Sequence, residues 1–398
     1  MISRNMENLG KAPSKIREIF EYSRKRKGEI GEENVFDFSL GNPSIPTPLK
    51  VTEVMKSLIE KEAPNILHGY TSAQGDINVR KKIAENIRNR FNTMCSYENI
   101  YMTCGAASSL SITLKALVSS SDDEIIILAP YFPEYKVFIE NAGAKIVEIK
   151  CKENTFALDI NAIEDAINKN TKAIIVNSPN NPSGVIFKEN ELKDLAEVLN
   201  KKQSEFKNSV YIISDEPYRE LVYGGETPSF IPGIYDNTVV CYSYSKSLSL
   251  PGERIGYVFV SPKAEESENL FYAVCGAGRA LGYVCAPSLL QYTVAECDGT
   301  EPNLDEYKKN RELLYNSLKK IGYETASPDG AFYLFVKSLE EDANAFCERA
   351  KAHELLLVPS DSFGIKGYVR IAYCVSYSQI EKSLPAFEAL YREYKGEK

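Results

Sequence analysis

Short apolar runs alternate with amphipathic stretches between about residues 99 and 260. The runs are rich in β-branched side chains, which is typical of buried strands, and the intervening stretches space apolar residues as a helix does. The predicted strands are 99–103, 124–129, 145–149, 172–177, 210–214, 239–245 and 256–260, and the predicted helices include 108–118, 133–143 and 189–202. Because such alternation builds parallel sheets covered on both faces, we expect an α/β fold with a mostly parallel, doubly wound sheet.

The C-terminal part of the chain has a different pattern. Helical periodicity at 287–298 and 302–321 precedes three apolar runs and a closing helix after Ser376; the runs are 331–336, 354–359 and 368–373. This order predicts a smaller α+β domain, and a length of 398 residues also favours two domains. We therefore predict a large ligand-binding domain, 46–285, and a small domain formed by 1–45 and 286–398.

The charge balance is acidic, with 47 lysines and arginines, 55 aspartates and glutamates, and a net charge of −8. Binding to nucleic acid or to an anionic membrane requires a basic surface, so we expect neither partner. The basic run 24-RKRK-27 follows apolar residues at helical spacing, and cations complement the dipole at a helix C-terminus. We predict that this run is the solvated last turn of a helix before Gly28.

Cysteine and histidine usage argues against a metal site. Nine cysteines are scattered without a CxxC pair, and only two histidines are present. The N-terminus, MISRNMENLGKAPSK, has no apolar signal core, and no apolar run approaches the length of a membrane span. We expect a cytoplasmic protein with reduced thiols and no metal.

Candidate ligand-binding segments follow the predicted strands, at the edge where open α/β sheets bind their ligands. After strand 99–103, the turn 104-CGAASSL-110 leads into a helix, whose N–H groups either hold a phosphate or allow close strand–helix packing. After strand 124–129, the aromatic cluster 130-PYFPEY-135 either packs beneath a loop or stacks on a planar ligand.

Amide, carboxylate and amine groups follow the later strands. In 178-SPNNPSG-184, asparagines offer amide donors, although Asn and Pro also make ordinary turns. In 215-DEPY-218, an acidic residue directly after an apolar strand is costly unless a cation pairs with it. Lys246 follows strand 239–245 and has no carboxylate within six residues on either side. Together these groups describe a flat, phosphorylated ligand with a cationic ring that condenses with an amine, namely pyridoxal 5′-phosphate (PLP).

Several segments, in order, resemble the fold-type I aminotransferases of the aspartate aminotransferase-like class I/II family. They are 38-FSLGNPSIPTP-48, 70-YTSAQGDINVR-80, 178-SPNNPSG-184, 215-DEPY-218, 243-SYSKSLSLPGERIGY-257, 330-GAFYLF-335 and 369-VRIAYCV-375. The resemblance implies the PLP-transferase fold type I, with a large domain and a smaller α+β domain. It also implies a PLP-dependent aminotransferase that moves an amino group between an L-amino acid, with aspartate or glutamate favoured, and a 2-oxo acid by a ping-pong mechanism.

The resemblance implies roles for residues around the cofactor ring, with Lys246, Asp215 and Tyr218 as catalytic residues. Lys246 matches the lysine that attaches covalently to PLP, and its freed amine would be the general base at the substrate Cα. Asp215 matches the carboxylate that keeps the pyridine nitrogen protonated, so that the ring withdraws electrons. Asn181 and Tyr218 match groups that hydrogen-bond the phenolic oxygen, and Phe132 matches the aromatic residue over the ring.

The resemblance also implies a phosphate site that two subunits share. Ser243 and Arg254 match phosphate ligands, together with the backbone amides of Ala106 and Ala107. Tyr70 resembles the tyrosine that reaches the phosphate of the neighbouring subunit, which implies a homodimer with shared active sites. The alternative for Tyr70 is ordinary packing in the core.

Two arginines and Asn181 match substrate-binding positions. Arg370, within the apolar run 368–373, matches the arginine that binds the substrate α-carboxylate, and the backbone amide of Gly41 meets the same carboxylate. Arg279 lies near the position from which an arginine reaches across the dimer to the distal carboxylate of aspartate or glutamate. Its alternative role is to cap a helix or to form an ion pair.

The alternatives to transamination are elimination by a lyase, ligand sensing without catalysis, and dehydrogenation. A PLP-dependent C–S lyase or other β-eliminating enzyme of the same fold would use the same cofactor residues, since both reactions begin with proton loss at Cα. A non-catalytic ligand sensor would need a DNA-binding segment, and the sequence contains none. A nucleotide-binding dehydrogenase would need a GxGxxG turn after its first strand, which is also missing.

Overall fold

The computed structural model describes residues 2–11, 14–223 and 227–396. Its helices are α1 (Arg4–Lys11), α2 (Lys15–Ile30), α3 (Leu49–Lys61), α4 (Pro64–Leu67), α5 (Ile77–Phe91), α6 (Ala106–Leu117), α7 (Glu134–Ala142), α8 (Ile160–Ala166), α9 (Glu189–Phe206), α10 (Tyr244–Ser247), α11 (Ser267–Ala280), α12 (Ser288–Cys297), α13 (Asp305–Ile321), α14 (Ala343–Ala352) and α15 (Tyr377–Lys395). Its strands are β1 (Phe36–Asp37), β2 (Ile100–Thr103), β3 (Glu124–Ala129), β4 (Lys145–Lys150), β5 (Thr171–Asn177), β6 (Tyr211–Asp215), β7 (Thr238–Ser243), β8 (Gly256–Val260), β9 (Tyr333–Lys337), β10 (Leu355–Leu356), β11 (Val358–Pro359) and β12 (Tyr368–Ala372).

A seven-stranded sheet with the order β2-β8-β7-β6-β5-β3-β4 forms the centre of the protein. Five neighbouring strands of this sheet, β4, β3, β5, β6 and β7, run parallel to one another. Strand β8 runs antiparallel to both of its neighbours, β7 and β2. The predicted α/β fold with a mostly parallel, mixed sheet is therefore confirmed.

Helices cover both faces of this sheet. Successive residues of β3 point to opposite faces, so Ile125 and Ile127 pack with Leu110 of α6, whereas Ile126 packs with Leu195 of α9. All three isoleucines are fully buried. Burial on both faces explains why β3 is a continuous apolar run rather than an alternating one.

The C-terminal part forms a separate antiparallel sheet with the order β11-β12-β9, covered by α13, α14 and α15. Strand β1 joins this part by pairing in parallel with β10, where Phe36 lies opposite Leu355. Helix α12 instead packs on α3 and α5, where Val294 belongs to the same core as Val51 and Val79. The two-domain division stays a prediction, and this packing favours moving its second boundary from residue 285 to the end of α12.

Several predicted strand ends are wrong. The predicted strand 239–245 ends at Ser243, because the Ser243 hydroxyl accepts a hydrogen bond from the Ser245 amide (3.2 Å) and caps α10. Lys246 therefore lies in a helical turn rather than at a strand end. The predicted strand 354–359 is interrupted between β10 and β11. The predicted strand 331–336 begins two residues late, at β9, and the residue at its predicted start has a φ of +55°.

The helix that carries the basic run is longer than predicted. Helix α2 continues through Gly28 to Ile30 and ends at Gly31, whose φ is +94°. Glycine adopts such a conformation without steric cost, so the stop signal is Gly31 rather than Gly28. In the part of the chain that the structure describes, no helix is both long enough and apolar enough to span a membrane.

Close backbone packing at Gly256 provides a test of the sheet geometry. A Cβ added at Gly256 would overlap the Tyr242 carbonyl oxygen and lie 3.0 Å from the Gly105 Cα. We expect Gly256→Ala to lower the thermal unfolding midpoint, because overpacking costs about 1–3 kcal/mol. Circular dichroism during heating measures this midpoint.

The control is Gly28→Ala, where an added Cβ meets nothing within 4 Å. Alanine is favoured over glycine within a helix by about 0.5–1 kcal/mol, so this variant should be slightly more stable than the wild type. Equal midpoints for the two variants would contradict the packing described at Gly256.

Candidate active site

A cavity of about 290 Å³ opens where β5, β6 and β7 end and α6 begins. Most of the residues singled out from the sequence line it: Gly41, Ala106, Ala107, Phe132, Asn181, Asp215, Tyr218, Ser243, Lys246, Arg254 and Arg370. Positions from seven separate segments thus meet in one place. The exceptions are Tyr70 and Arg279.

Lys246 reaches the cavity from α10 and is bonded there to an uncharged group. Its Nζ donates to the Gly41 carbonyl oxygen (2.7 Å) and lies 5.3 Å from the centre of the Phe332 ring. Burial lowers the pKa of Lys246 to about 8, and the Arg254 and Arg370 cations act in the same direction. About a tenth of this amine is therefore neutral, and so nucleophilic, at pH 7, far more than for an exposed lysine.

Asp215 ends β6 as a buried carboxyl group with one free oxygen. Its Oδ2 accepts hydrogen bonds from the Tyr135 hydroxyl and from Asn177 Nδ2 (3.4 Å). Its Oδ1 is buried and has no hydrogen-bond partner in the described chain. Burial raises the pKa of Asp215 to about 7, against the effect of the Tyr135 bond. A ligand that brings a positive N–H group to Oδ1 would satisfy this oxygen and restore the ionised carboxylate.

The start of α6 and the start of α10 form an anion-binding corner. Ala106 and Ala107 are the first residues of α6, whose N–H groups have no partner within the helix. Ser243 Oγ donates to Ser245 Oγ (2.7 Å), which also accepts from Arg254 Nη1 (3.1 Å). Hydroxyls, amides and a guanidinium at one corner are the donors that bind a phosphate.

Arg370 lies at the other side of the cavity and is 2% exposed. Its Nη1 donates to Asn181 Oδ1 (3.1 Å), and its Nη2 donates to the Ser39 carbonyl oxygen (2.6 Å). Its guanidinium carbon lies 4.6 Å from the centre of the Tyr333 ring, and the Tyr333 hydroxyl is 2.9 Å from that of Tyr218. The acceptors of Arg370 are neutral, so its charge is available to a ligand carboxylate.

Comparison with known proteins decides the family. The model of the aminotransferase class I and II family matches residues 33–387. The chain belongs to this family. It is 30% identical to a probable aspartate aminotransferase of Methanocaldococcus jannaschii, over 98% of this chain and all of that protein. It is 26% identical to aromatic-amino-acid aminotransferase 2 of Thermococcus litoralis, over 96% of this chain and 97% of that one.

A solved structure agrees with this family. The crystal structure of an amino transferase from Eubacterium rectale is 52% identical and matches with a TM-score of 0.97 over 99% of both chains. The predictions of a fold-type I aminotransferase and of an amino-transfer enzyme are confirmed. The family implies PLP, and the free Asp215 Oδ1, the Lys246 amine and the anion-binding corner fit that cofactor.

Tyr70 and Arg279 of this aminotransferase are exposed and do not line its own cavity. Tyr70 is 93% exposed, which excludes packing in the core of its own chain. Arg279 is exposed in the last turn of α11, and no ion pair involves it among the described residues. Of its alternative roles, only the favourable position at a helix C-terminus is present. Their reach to a second subunit stays a prediction.

Sequence reasoning missed several side chains of the site. Ser245 links Ser243 to Arg254, and its position in the quoted 243-SYSK-246 run was the available signal. Tyr135 and Asn177 hold Asp215, and Tyr333 supports both Tyr218 and Arg370. Tyr135, Asn177 and Tyr333 are polar residues within or next to a quoted motif, but their partners are distant in sequence.

The buried Asp215 carboxyl predicts a pH-dependent stability in the cofactor-free protein. The folded state raises its pKa from 3.8 to about 7, so the folded chain holds a proton that the unfolded chain releases. The stability contributed by this proton is complete below about pH 4 and is lost as the pH rises through about 7. Asp215→Asn cannot ionise. We therefore expect the substitution to raise the free energy of unfolding by a few kcal/mol at pH 8. At pH 4, where the wild-type carboxyl group is protonated in the folded state, the substitution should change the free energy of unfolding little.

Urea denaturation of the cofactor-free wild type and variant at both pH values measures this difference. An equal effect of the substitution at pH 4 and pH 8 would show that Asp215 does not titrate in this window.

Proposed function

We propose that the cavity binds PLP through the residues described above, and that the enzyme exchanges amino groups between aspartate or glutamate and 2-oxo acids. The cofactor proposal rests on one observation, that Asp215 and Lys246 line the same cavity with pKa values shifted in opposite directions. The pKa of the acid is raised and that of the amine is lowered. Bound PLP supplies an electron-withdrawing ring that makes the substrate Cα–H bond acidic. The family assignment supports the same cofactor.

Lys246 and Asp215 would carry the chemical roles. The neutral Lys246 amine would attach the cofactor, and once freed by substrate it would take and return the Cα proton. Asp215, ionised by pairing with a protonated ring nitrogen, would keep that nitrogen charged. Tyr218 and Asn181 line the same cavity and would hydrogen-bond the phenolic oxygen, while Phe132 would cover the ring.

Phosphate and substrate carboxylate would bind at opposite sides of the cavity. Ser243, Arg254 and the α6 amides would hold the phosphate, with Ser245 fixing the arginine. Arg370 would bind the substrate α-carboxylate, since a buried arginine with neutral acceptors gains most from an anionic partner. The predicted contact of the Gly41 amide with that carboxylate remains part of this proposal.

The distal carboxylate of aspartate or glutamate would need a further cation. Among the described residues that line the cavity, the cations are Lys246, Arg254 and Arg370, and each already has a role. We therefore assign the distal carboxylate to Arg279 of the partner subunit, and the phosphate contact to Tyr70 of the partner subunit. The exposure of both side chains supports a homodimer with shared sites. A cytoplasmic location stays a prediction.

Removal of the proposed nucleophile tests the mechanism. We expect Lys246→Ala to lower the rate of amino transfer from aspartate to 2-oxoglutarate by more than about a thousandfold, because no other neutral amine lines the described cavity. The control is Lys136→Ala, which removes a surface lysine paired with Glu148 and should keep the wild-type rate. A coupled assay of oxaloacetate measures both.

Product analysis separates transamination from elimination. Release of pyruvate and ammonia from a cysteine-like substrate, without any requirement for a 2-oxo acid, would identify a C–S lyase instead. A wild-type rate in Lys246→Ala would exclude the proposed mechanism altogether.

Substitution of Arg279 tests the choice of substrate. We expect Arg279→Ala to lower kcat/KM for aspartate and glutamate by about 10–100-fold, because a charged partner is lost, and to leave alanine and phenylalanine unaffected. Steady-state kinetics with all four amino acids measures this. An equal loss for all of them, or none, would remove Arg279 from substrate recognition.

Mixed dimers show whether Arg279 acts across the subunit boundary. If it does, a Lys246→Ala subunit paired with an Arg279→Ala subunit contains one intact site, and one site with both defects. Random exchange of equal amounts should then restore about a quarter of the wild-type activity toward aspartate, since half of the dimers are mixed. No recovery after verified exchange would place Arg279 in the site of its own subunit.

A further inference from the structure

A buried ion pair lies next to the proposed cofactor-binding residues but outside their cavity. Glu216 and Arg219 are each 5% exposed, and Arg219 Nε donates to the Glu216 carboxylate. Glu216 also accepts from the Ser214 hydroxyl (2.6 Å). Neither member of the pair lines the cavity that contains Asp215. Burying two charges is costly, and the contacts of Arg219 suggest what the pair does.

Arg219 connects the segment after β6 to the strands β7 and β8. Its Nη1 donates to the Tyr257 hydroxyl (3.1 Å), and its guanidinium carbon lies 4.5 Å from the centre of the Tyr242 ring. Tyr242 and Tyr257 are opposite each other in the β7–β8 ladder, with ring centres 4.8 Å apart. The Tyr242 hydroxyl donates to Ser247 Oγ (2.9 Å), so the contact continues to the end of α10.

These contacts are placed directly beside the proposed functional residues. Glu216 follows Asp215, and Arg219 follows Tyr218. Tyr242 precedes Ser243, and Ser247 follows Lys246. The arginine therefore joins two segments, 215–219 and 242–247, which carry opposite ends of the proposed cofactor site.

We propose that Arg219 is a positioning residue that fixes the segment carrying Asp215 and Tyr218 against the segment carrying Ser243 and Lys246. The proposal rests on the proposed function, because it assigns Arg219 a role toward the bound cofactor. A planar guanidinium pairs with a carboxylate, donates to a phenol and covers an aromatic ring at once, and a lysine ammonium cannot do all three.

Charge adds to this geometric role. Without Arg219, the Glu216 carboxylate would be buried and uncompensated beside Asp215, whose pKa its charge already raises. The competing explanation is an ordinary core ion pair, whose loss lowers the stability of the fold and nothing else. The two explanations differ in what they predict for cofactor binding at temperatures far below unfolding.

Three variants of the holoenzyme separate these explanations. Arg219→Lys keeps the positive charge but loses the planar guanidinium group. The double variant Glu216→Gln with Arg219→Gln removes both charges, so that no charged group is left buried without its partner. The control is Arg311→Gln, because Arg311 donates to the Pro328 carbonyl and lies 5.9 Å from the Tyr223 ring, away from both segments. The measurements are PLP release during dialysis, the pH midpoint of the visible absorbance of the bound cofactor, and the thermal unfolding midpoint.

We expect Arg219→Lys and the double variant to bind PLP about tenfold more weakly than the wild type, as for other residues that orient ligand-binding groups. We also expect a higher absorbance midpoint, since a looser Tyr218 contact with the phenolic oxygen would favour the protonated cofactor. Arg311→Gln should change only the unfolding midpoint. If both test variants lose stability but keep wild-type PLP release and absorbance midpoint, Arg219 is an ordinary core residue and the proposal is wrong. A wild-type enzyme that retains no PLP would overturn the proposed function itself.

Discussion

The unpaired oxygen of the buried Asp215 carboxyl group is the constraint on which the rest of the site depends. Asp215 is 4% exposed at the end of β6, and among the described residues only one of its oxygens has hydrogen-bond partners, which are Tyr135 and Asn177. The protein therefore contains an acid that is ionised at low cost only when a ligand brings a positive charge. This requirement favours a ligand with a positively charged N–H group, such as the ring nitrogen of the proposed cofactor.

The same low-polarity surroundings act on Lys246 in the opposite direction. Burial disfavours the charged form of each group, so it raises the pKa of the acid and lowers that of the amine. A salt bridge between them would oppose both effects, and no such pair forms among the described residues. Lys246 instead bonds to the neutral Gly41 carbonyl, which leaves its nucleophilic form accessible.

The positions of the central strands and most of the cavity could be predicted because both depend on local patterns. Apolar runs fixed the strands, and the polar residues after them had to meet at one edge of a parallel sheet. The contacts that hold those residues could not be predicted, since they join positions far apart in the chain. Tyr135 bonds to Asp215 across 80 residues, and Tyr333 reaches Tyr218 across 115. The helical turn at Lys246 was missed because a serine cap, rather than a change in apolar pattern, ends β7.

The order of these positions along the chain has a consequence for the biosynthesis of the enzyme. Its own proposed cofactor-holding residues all lie between Ala106 and Arg254, whereas Arg370 needs both Ser39 and Asn181 to be held in place. A ribosome releases the chain from its N-terminus, and domains generally fold as they emerge. The residues proposed to hold the cofactor are thus synthesised well before Arg370, which is proposed to bind the substrate carboxylate. Arg370 is therefore the last of the proposed active-site residues of this chain to be synthesised.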